Sequence, residues 1–390
     1  VPYTNGEVAA PGAICAGPDG RIWFLHQTSA PNDALGAVGV DGQNFAQATV
    51  GLTNIGPVAI NPGPDGNVWY TKQQGSGRVN PSSMSDQEFG SPQGGETGGI
   101  IQGPDGNMWY TTTAPAQIVK MSTNGQSTPF AVSGTGRTPA DIAAGPDGNL
   151  WYTDTTANVI GMITTSGTIT EYQIPTAGSF PRAICAGPKG DGNLWFVEHD
   201  GHNIGKITPA GMITEYAIPS GANPYAIAAG PDGNLWFTEP GAFNAIGRCT
   251  PAGGISEYPL PTAHAEPAGI TAGPDGNIWF AEEFVGKIGR FSSIMGGGNL
   301  ASGMVGQNPL GGTVGMCTKD TDCINSGMGC GGDVCSHAGA TPACVLAATG
   351  DPGWCTSDSD CWCSGPPVKA TCNTASHHCS QTSVDGYDGG

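Results

Sequence analysis

Basic residues are scarce in this chain. Thirteen Lys and Arg stand against 32 Asp and Glu over 390 residues, a formal net charge of −19. That balance repels phosphate backbones and anionic lipid surfaces, which excludes nucleic acid and a charged membrane face as partners. Charged residues of both signs amount to only 12% of the sequence. No run of 18 apolar residues occurs, so no helical membrane span is expected. The one Asn-x-Ser triplet, Asn80-Pro81-Ser82, is blocked by its proline, so N-glycosylation is not expected. A P-loop, a dinucleotide fingerprint and a locally supported Ser-His-Asp arrangement are all missing. The chain begins at Val1 with neither Met nor a visible leader, which reads as a processed or incomplete N-terminus.

Seven near-copies of one phrase are present. GPDGRIWF starts at Gly17, GPDGNVWY at Gly63, GPDGNMWY at Gly103 and GPDGNLWY at Gly145. GPKGDGNLWF starts at Gly187, GPDGNLWF at Gly230 and GPDGNIWF at Gly273. The tryptophans Trp23, Trp69, Trp109, Trp151, Trp195, Trp236 and Trp279 are spaced by 46, 40, 42, 44, 41 and 43 residues. A period near 42 with strand-like alternation predicts an all-β fold, a seven-bladed β-propeller with one four-stranded repeat per blade. Gly and Pro, 65 and 32 in number, fall at fixed offsets as turn residues.

The sixth repeat shows the expected blade. Tyr225–Ala229 is read as the first strand, followed by the GPDG turn. Asn234–Glu239, Ala245–Thr250 and Ile255–Pro261 are read as the second, third and fourth. The repeated Trp supplies the large apolar group between neighbouring blades. MSDQEF at Met84 and STPFAV at Ser127 are degenerate fourth strands. VPYTNGEV, at the N-terminus, is expected to complete the seventh blade and close the ring, hiding its edge.

The propeller is assigned to residues 1–292, a Gly-rich linker to 293–316, a Cys-rich module to 317–380 and a terminal tail to 381–390. The linker segment has a second reading, as a piece that packs on the propeller or on a neighbour. Cys317, Cys323, Cys330, Cys335, Cys344, Cys355, Cys361, Cys363, Cys372 and Cys379 crowd 63 residues. They read as a disulfide framework formed in an oxidising compartment, hence a secreted, extracellular protein. CTKDTDC from Cys317 and CTSDSDC from Cys355 mark a duplication with five cysteines in each half. Five is odd, so if all ten pair, at least one bridge joins the halves. Cys15, Cys185 and Cys249, in the repeats, read as buried free thiols.

The repeat phrase GPDGNLWFTE with NAIGRCTPAGGISEYPLP resembles the virginiamycin B lyase family over residues 1–292, most strongly from Asp141 to Arg290. The resemblance implies a Mg²⁺ ion at the centre of one propeller face and ring opening of a cyclic ester antibiotic by elimination. It also implies two working histidines, the base in an E-P-H-G motif and another in P-H-A-I. This chain has Glu266-Pro267-Ala268-Gly269 and Pro224-Tyr225-Ala226-Ile227 at those motifs. Ala268 cannot abstract a proton and a neutral Tyr225 is a poor base at pH 7. The acidic positions Glu266 and Glu283 remain.

Read around the ring, the residue two before each repeated Ile is Gly12, Val58, Gly98, Ala140, Arg182, Tyr225 and Ala268. Only Arg182 and Tyr225 bring chemistry, so Arg182, Tyr225, Glu266 and Glu283 form the candidate ligand-binding set. The position two after each repeat aromatic reads His26, Lys72, Thr112, Asp154, Glu198, Glu239 and Glu282. Glu198, Glu239 and Glu282 are candidate oxygen ligands for a divalent cation, Mg²⁺ or Ca²⁺, or else solvated strand ends. Glu198-His199-Asp200-Gly201-His202 is a second place for a metal, or a polar hairpin tip; so is His377-His378-Cys379, against exposed histidines beside a bridged cysteine. Three function classes remain. The first is a non-catalytic extracellular structural subunit that self-assembles, as a homo-oligomer or filament, through its Cys-rich tail. The second is a propeller binding a carbohydrate or cell-surface ligand, and the third, disfavoured by the two replaced histidines, is a lyase.

Overall fold

The computed structural model describes residues 9–27, 34–50, 57–73, 75–91 and 94–292, and the backbone of four short strands beyond them. Two compact units are separated at Gly306. The first is the propeller. Six antiparallel sheets of four strands follow one another along the chain, and a seventh contributes three described strands, Pro267–Ala272, Ile278–Glu282 and Lys287–Phe291. The inner strands contact each other in sequence, and Pro267–Ala272 meets Ala9–Ala16 of blade 1, closing the ring. Residues 1–8, expected to complete blade 7, lie outside the described residues, as do 293–316.

The repeat phrase is a turn that also seats an indole. In blade 2, Gly66 sits at φ +75 and its N–H donates to Gly63 O at 3.2 Å. That left-handed conformation favours glycine. Asp65 Oδ1 accepts the Asn67 N–H at 3.2 Å and the Trp69 indole N–H at 2.9 Å. A Cβ on Gly63 would run into the same indole. The Asp–indole bond recurs in all seven blades, from Asp19 and Trp23 at 3.0 Å to Asp275 and Trp279 at 3.0 Å. Blade 5 keeps it at 2.8 Å through Asp191, in spite of its inserted residues. The aspartates read from sequence as turn formers thus also satisfy the one polar atom of each buried tryptophan.

Each Trp packs forward onto the next blade. Trp195 joins Leu235 and Phe237, and Trp236 joins Ile270, Ile278 and Phe280. Trp279 joins Ile14, Ile22 and Phe24 across the closure. In blades 2 to 6 an outer-strand aromatic stacks on the Trp, as Tyr216 does on Trp195 at 5.7 Å. Threonines add polar ties between blades. Thr238 Oγ1 accepts the Ala226 N–H of its own blade at 3.1 Å and donates to Ala268 O of blade 7 at 2.8 Å. Thr71, Thr111 and Thr153 likewise donate to the next blade. The inner strand of blade 6 is Ile227–Ala229 and starts two residues later than the sequence predicts, although the Tyr225 N–H still donates to Thr238 O at 2.9 Å. Cys15 and Cys249 are buried free thiols, and Cys185 is a half-buried one; burial pushes Cys249 up to about 12.

The second unit spans Gln307–Gly390. Four strands are described, in two hairpins: Asp333–Ser336 with Ala343–Leu346, and Val368–Asn373 with His378–Ser383. Cys335 stands opposite Cys344, and Cys372 opposite Cys379. The other six cysteines of the expected framework lie outside the described residues.

Candidate functional site

Strand pairing brings the entry of each inner strand beside the exit of its second strand. Pro181 pairs with Glu198 and Pro267 with Glu282. On blades 5 to 7 this end encloses a cavity of about 570 Å³, whose walls include His199, Asn223, Tyr225, Glu266, Ala268 and Glu283. The loop Pro240–Phe243 of blade 6 forms part of the rim. Phe243 is 41% exposed there, and Phe284, next to Glu283, is 75% exposed.

Blade 5 contributes Arg182, whose guanidinium lies 3.9 Å above the centre of the Tyr225 ring. This cation–π contact fixes the tyrosine that follows Pro224. Blade 7 contributes two carboxyls. Glu266 holds a left-handed backbone, φ +48, braced by its own N–H and that of Ala265 on Asn244 Oδ1 at 3.2 and 2.8 Å. A strained non-glycine residue held this way marks a position fixed by its surroundings. Glu266 Oε2 accepts the Gly241 N–H at 2.7 Å, tying the blade-6 rim to blade 7. Burial pushes the Glu283 carboxyl up, the Glu266 charge adds to that, and Arg182 opposes it.

The four residues proposed from sequence as a ligand set are therefore neighbours: three line the cavity and the fourth stacks on one of them. His199 is an addition. Its Nδ1 lies 2.6 Å from Asp200 Oδ1, the Asn223 amide donates to its carbonyl at 2.9 Å, and its ring meets Phe180 edge-on at 6.1 Å. The signal was available in the alternation of the second strand. If Glu198 points into the blade, the next residue points away from it. The same step yields Pro240 and Glu283. His202 does not join His199, since its Nδ1 lies 3.2 Å from Ala222 O.

Glu198, Glu239 and Glu282, the cation candidates, are buried and stand on three separate blades. Each meets a different group. Glu198 Oε2 accepts from the Asn203 amide at 3.1 Å, and Glu282 Oε1 from the Thr262 hydroxyl at 3.4 Å. Burial pushes Glu198 up to about 8, the Asn203 amide opposing and Glu215 reinforcing the shift. Burial and then Glu257 push Glu239 up to about 8. Among the described residues no three His, Cys, Asp or Glu side chains gather as a metal-ligand group. Nor do the donors at the cavity fit a resident Mg²⁺. One Glu266 oxygen is taken by Gly241, Glu283 is pushed toward its neutral form, and Arg182 already supplies positive charge.

No helix among the described residues is long and apolar enough to cross a membrane. No curated protein sequence matches the chain. Among solved structures, a streptogramin B lyase is 34% identical, with 74% of this chain and 94% of that one covered and a TM-score of 0.68. A catalytically inactive variant of virginiamycin B lyase from Staphylococcus aureus, solved with quinupristin, is 35% identical, with coverages of 73% and 96% and a TM-score of 0.68. Hydrazine synthase of Kuenenia stuttgartiensis, 16% identical with 76% and 99% covered, shares the fold alone at a TM-score of 0.62. The model of the virginiamycin B lyase family matches residues 3–291, and with the propeller and its repeat phrase this places the chain in that family.

Proposed function

We propose that this propeller is a secreted binding module that keeps the family's ligand-holding face without its elimination chemistry. One observation carries the reading: Tyr225 and Ala268 line the cavity where the family motifs have histidines, and Arg182 stacks on Tyr225. An inactive lyase variant was solved with quinupristin, so in that relative binding was separated from turnover. Here Tyr225 and Phe243 offer aromatic faces, while Asn223, Glu266 and Glu283 offer polar groups for hydroxyls. This combination suits a carbohydrate or another hydroxyl-rich cell-surface ligand. The test is incubation of the full chain with quinupristin, followed by mass spectrometry, beside binding titrations with a panel of oligosaccharides. Intact quinupristin with saturable sugar binding supports the reading; a ring-opened product sinks it.

A second reading, self-assembly through the Cys-rich tail, is favoured by the register of the two hairpins. Cys335 opposite Cys344 and Cys372 opposite Cys379 suit bridges within each half of the duplication. Five cysteines per half then become three, still odd, so if all ten pair a further bridge must leave each half. It reaches either the other half or another copy of the chain. Electron microscopy of native material with and without reductant tests this. Polymers that fall apart on reduction support the tail as connector, and dispersed particles in both conditions refute it.

A further inference from the structure

Regulation of the pocket, which presupposes the binding role proposed above, is built into the blades that carry it. In blades 2, 4, 5 and 6 a glycine of the third strand stands between the second-strand aromatic and an outer-strand glutamate, and the end residue of the second strand lies two places beyond that aromatic on the same face. Gly77, Gly161, Gly205 and Gly247 hold that place in blades 2, 4, 5 and 6. Blade 2 puts opposite charges there, Lys72 Nζ and Glu88 Oε2 at 2.7 Å. Blade 4 puts two carboxyls there and neutralises them. Arg137 pairs with Asp154 at 2.8 Å and with Glu171, and the Tyr152 hydroxyl donates to Glu171 at 3.0 Å.

Blades 5 and 6 keep both carboxyls, Glu198 with Glu215 and Glu239 with Glu257, and lose the neutralising groups. Counting from Pro139, Pro181 and Pro224, the slot of Arg137 holds Ser179 and Ala222. The slot of Tyr152 holds Phe196 and Phe237. Blade 5 retains the Asn203 amide on Glu198, and the Thr176 N–H donates to Glu215 at 2.9 Å. Blade 6 retains less. Glu239 is 0% exposed and neither of its oxygens meets an N–H or hydroxyl donor. The acid nearest in register is Glu257, paired with Gly247, which pairs with Phe237 two residues before Glu239; among the described residues Glu257 receives the Ser220 N–H, at 3.3 Å.

Other charged groups around blade 6 do not relieve the pair. Lys206 of blade 5 lies over Trp195 and Tyr216, and Arg248 lies over Tyr258 on the other face of the third strand. Across the rim stand two further carboxyls, Glu266 and Glu283. Two ionised carboxylates facing each other in a buried site without a cation are strongly unfavourable, whereas one shared proton turns the contact into a donor–acceptor bond.

We infer that a proton held between Glu239 and Glu257 is a clasp for the rim of the pocket, with Glu198 and Glu215 its partly braced counterpart in blade 5. Glu239 is followed directly by Pro240–Phe243, and Gly241 in that loop anchors Glu266. With the proton in place, the strand end is tied to the outer strand and the rim is held. Loss of the proton sets two carboxylates against each other, frees the strand end and opens the wall. The pocket is thus closed-walled at acidic and neutral pH and loosened at alkaline pH.

Hydrogen exchange of the full chain from pH 6 to 9.5, corrected for intrinsic rates, tests the clasp without any ligand. Failure of the binding proposal therefore leaves the result readable. Protection of residues 241–244 should fall at least tenfold above pH 8, while residues 155–158 of the Arg-braced blade 4 stay unchanged. Glu239→Gln, which keeps a donor toward Glu257 and cannot ionise, should hold its protection across the range. Glu257→Gln, at a half-buried position, serves the same purpose should the first variant fold poorly. Equal loss in blades 4 and 6, no loss up to pH 9.5, or an unchanged profile in the neutral variants overturns the inference.

Discussion

Replacing Glu239 by Gln should stabilise the propeller, and by more as the pH rises. The native carboxyl titrates near 8, raised from 4.5 by burial and by Glu257. A carboxyl with a raised native pKa holds its proton in the folded chain while the unfolded chain loses it. Folding is unpenalised below 4.5, loses about 1.4 kcal/mol per pH unit between the two values, and reaches a constant penalty above 8. The span sets a ceiling of about 5 kcal/mol, and relaxation of the pair leaves on the order of 2 kcal/mol at pH 8. The neutral amide removes this term. Urea unfolding of both proteins at pH 5, 7 and 8.5 should show midpoints that converge at pH 5 and diverge upward, with Glu239→Gln the more stable. Parallel curves would refute the reasoning, because they would mean that Glu239 is already ionised in the folded state or solvated by groups that the described residues do not supply.

Asp105 should act with the opposite sign. Burial works against it, but Lys120, the Trp109 indole and Asn107 hold it down at about 2, so its contribution is present above 3.8 and fades as the pH falls toward 2, visible as acid destabilisation absent from Asp105→Asn. Asp232→Ala removes the acceptor of the Trp236 indole N–H and of the Asn234 N–H, and should cost roughly 1–3 kcal/mol by thermal or urea unfolding. Thr238→Val, which keeps shape and loses the hydroxyl tie to Ala226 and Ala268, should cost about 1–2 kcal/mol. Arg182→Ala frees the Tyr225 ring and should weaken sugar binding about tenfold with little change in unfolding midpoint, as read by calorimetric titration.

The period of the tryptophans was enough to read the ring, because a blade cannot bury its two faces alone and the spacing matches one blade. The pairing of Arg182 with Tyr225 was legible for the same reason, since residues in one register of a repeat stand side by side around the axis, whereas Glu266 and Glu283 were named through the family resemblance. Other features needed coordinates. That each GPDG carboxylate reaches the indole four residues on depends on the turn bringing Oδ1 to about 3 Å from Nε1. Reading Glu198, Glu239 and Glu282 as one cation set assumed that they face a common centre. Glu198 and Glu239 meet Glu215 and Glu257 on the outer strands of their own blades, Glu282 meets Thr262, and alternation hands the cavity to the next residue, His199 among them. The shortening of the blade-6 inner strand to Ile227–Ala229 is likewise not encoded in hydrophobic alternation.

In a ring of near-identical blades, whatever the protein does beyond folding must come from departures from the repeat. These departures are not spread evenly. Blades 2 and 4 neutralise the end of the second strand with Lys72 or Arg137, whereas blades 5 and 6 leave carboxyl facing carboxyl. Arg182, His199, Tyr225, Ala268 and Glu283 break their registers on the same three consecutive blades. The two groups of departures are adjacent in sequence, since Glu198 precedes His199, Glu239 precedes Pro240 and Glu282 precedes Glu283. A strand end that carries a buried acid on one face and a pocket residue on the next cannot change protonation without moving the wall it supports. Loss of the Arg137-type brace and gain of the Arg182–Tyr225 stack therefore belong to one proposed arrangement: a pocket wall held at blade 5 by a cation–π contact and at blade 6 by a proton.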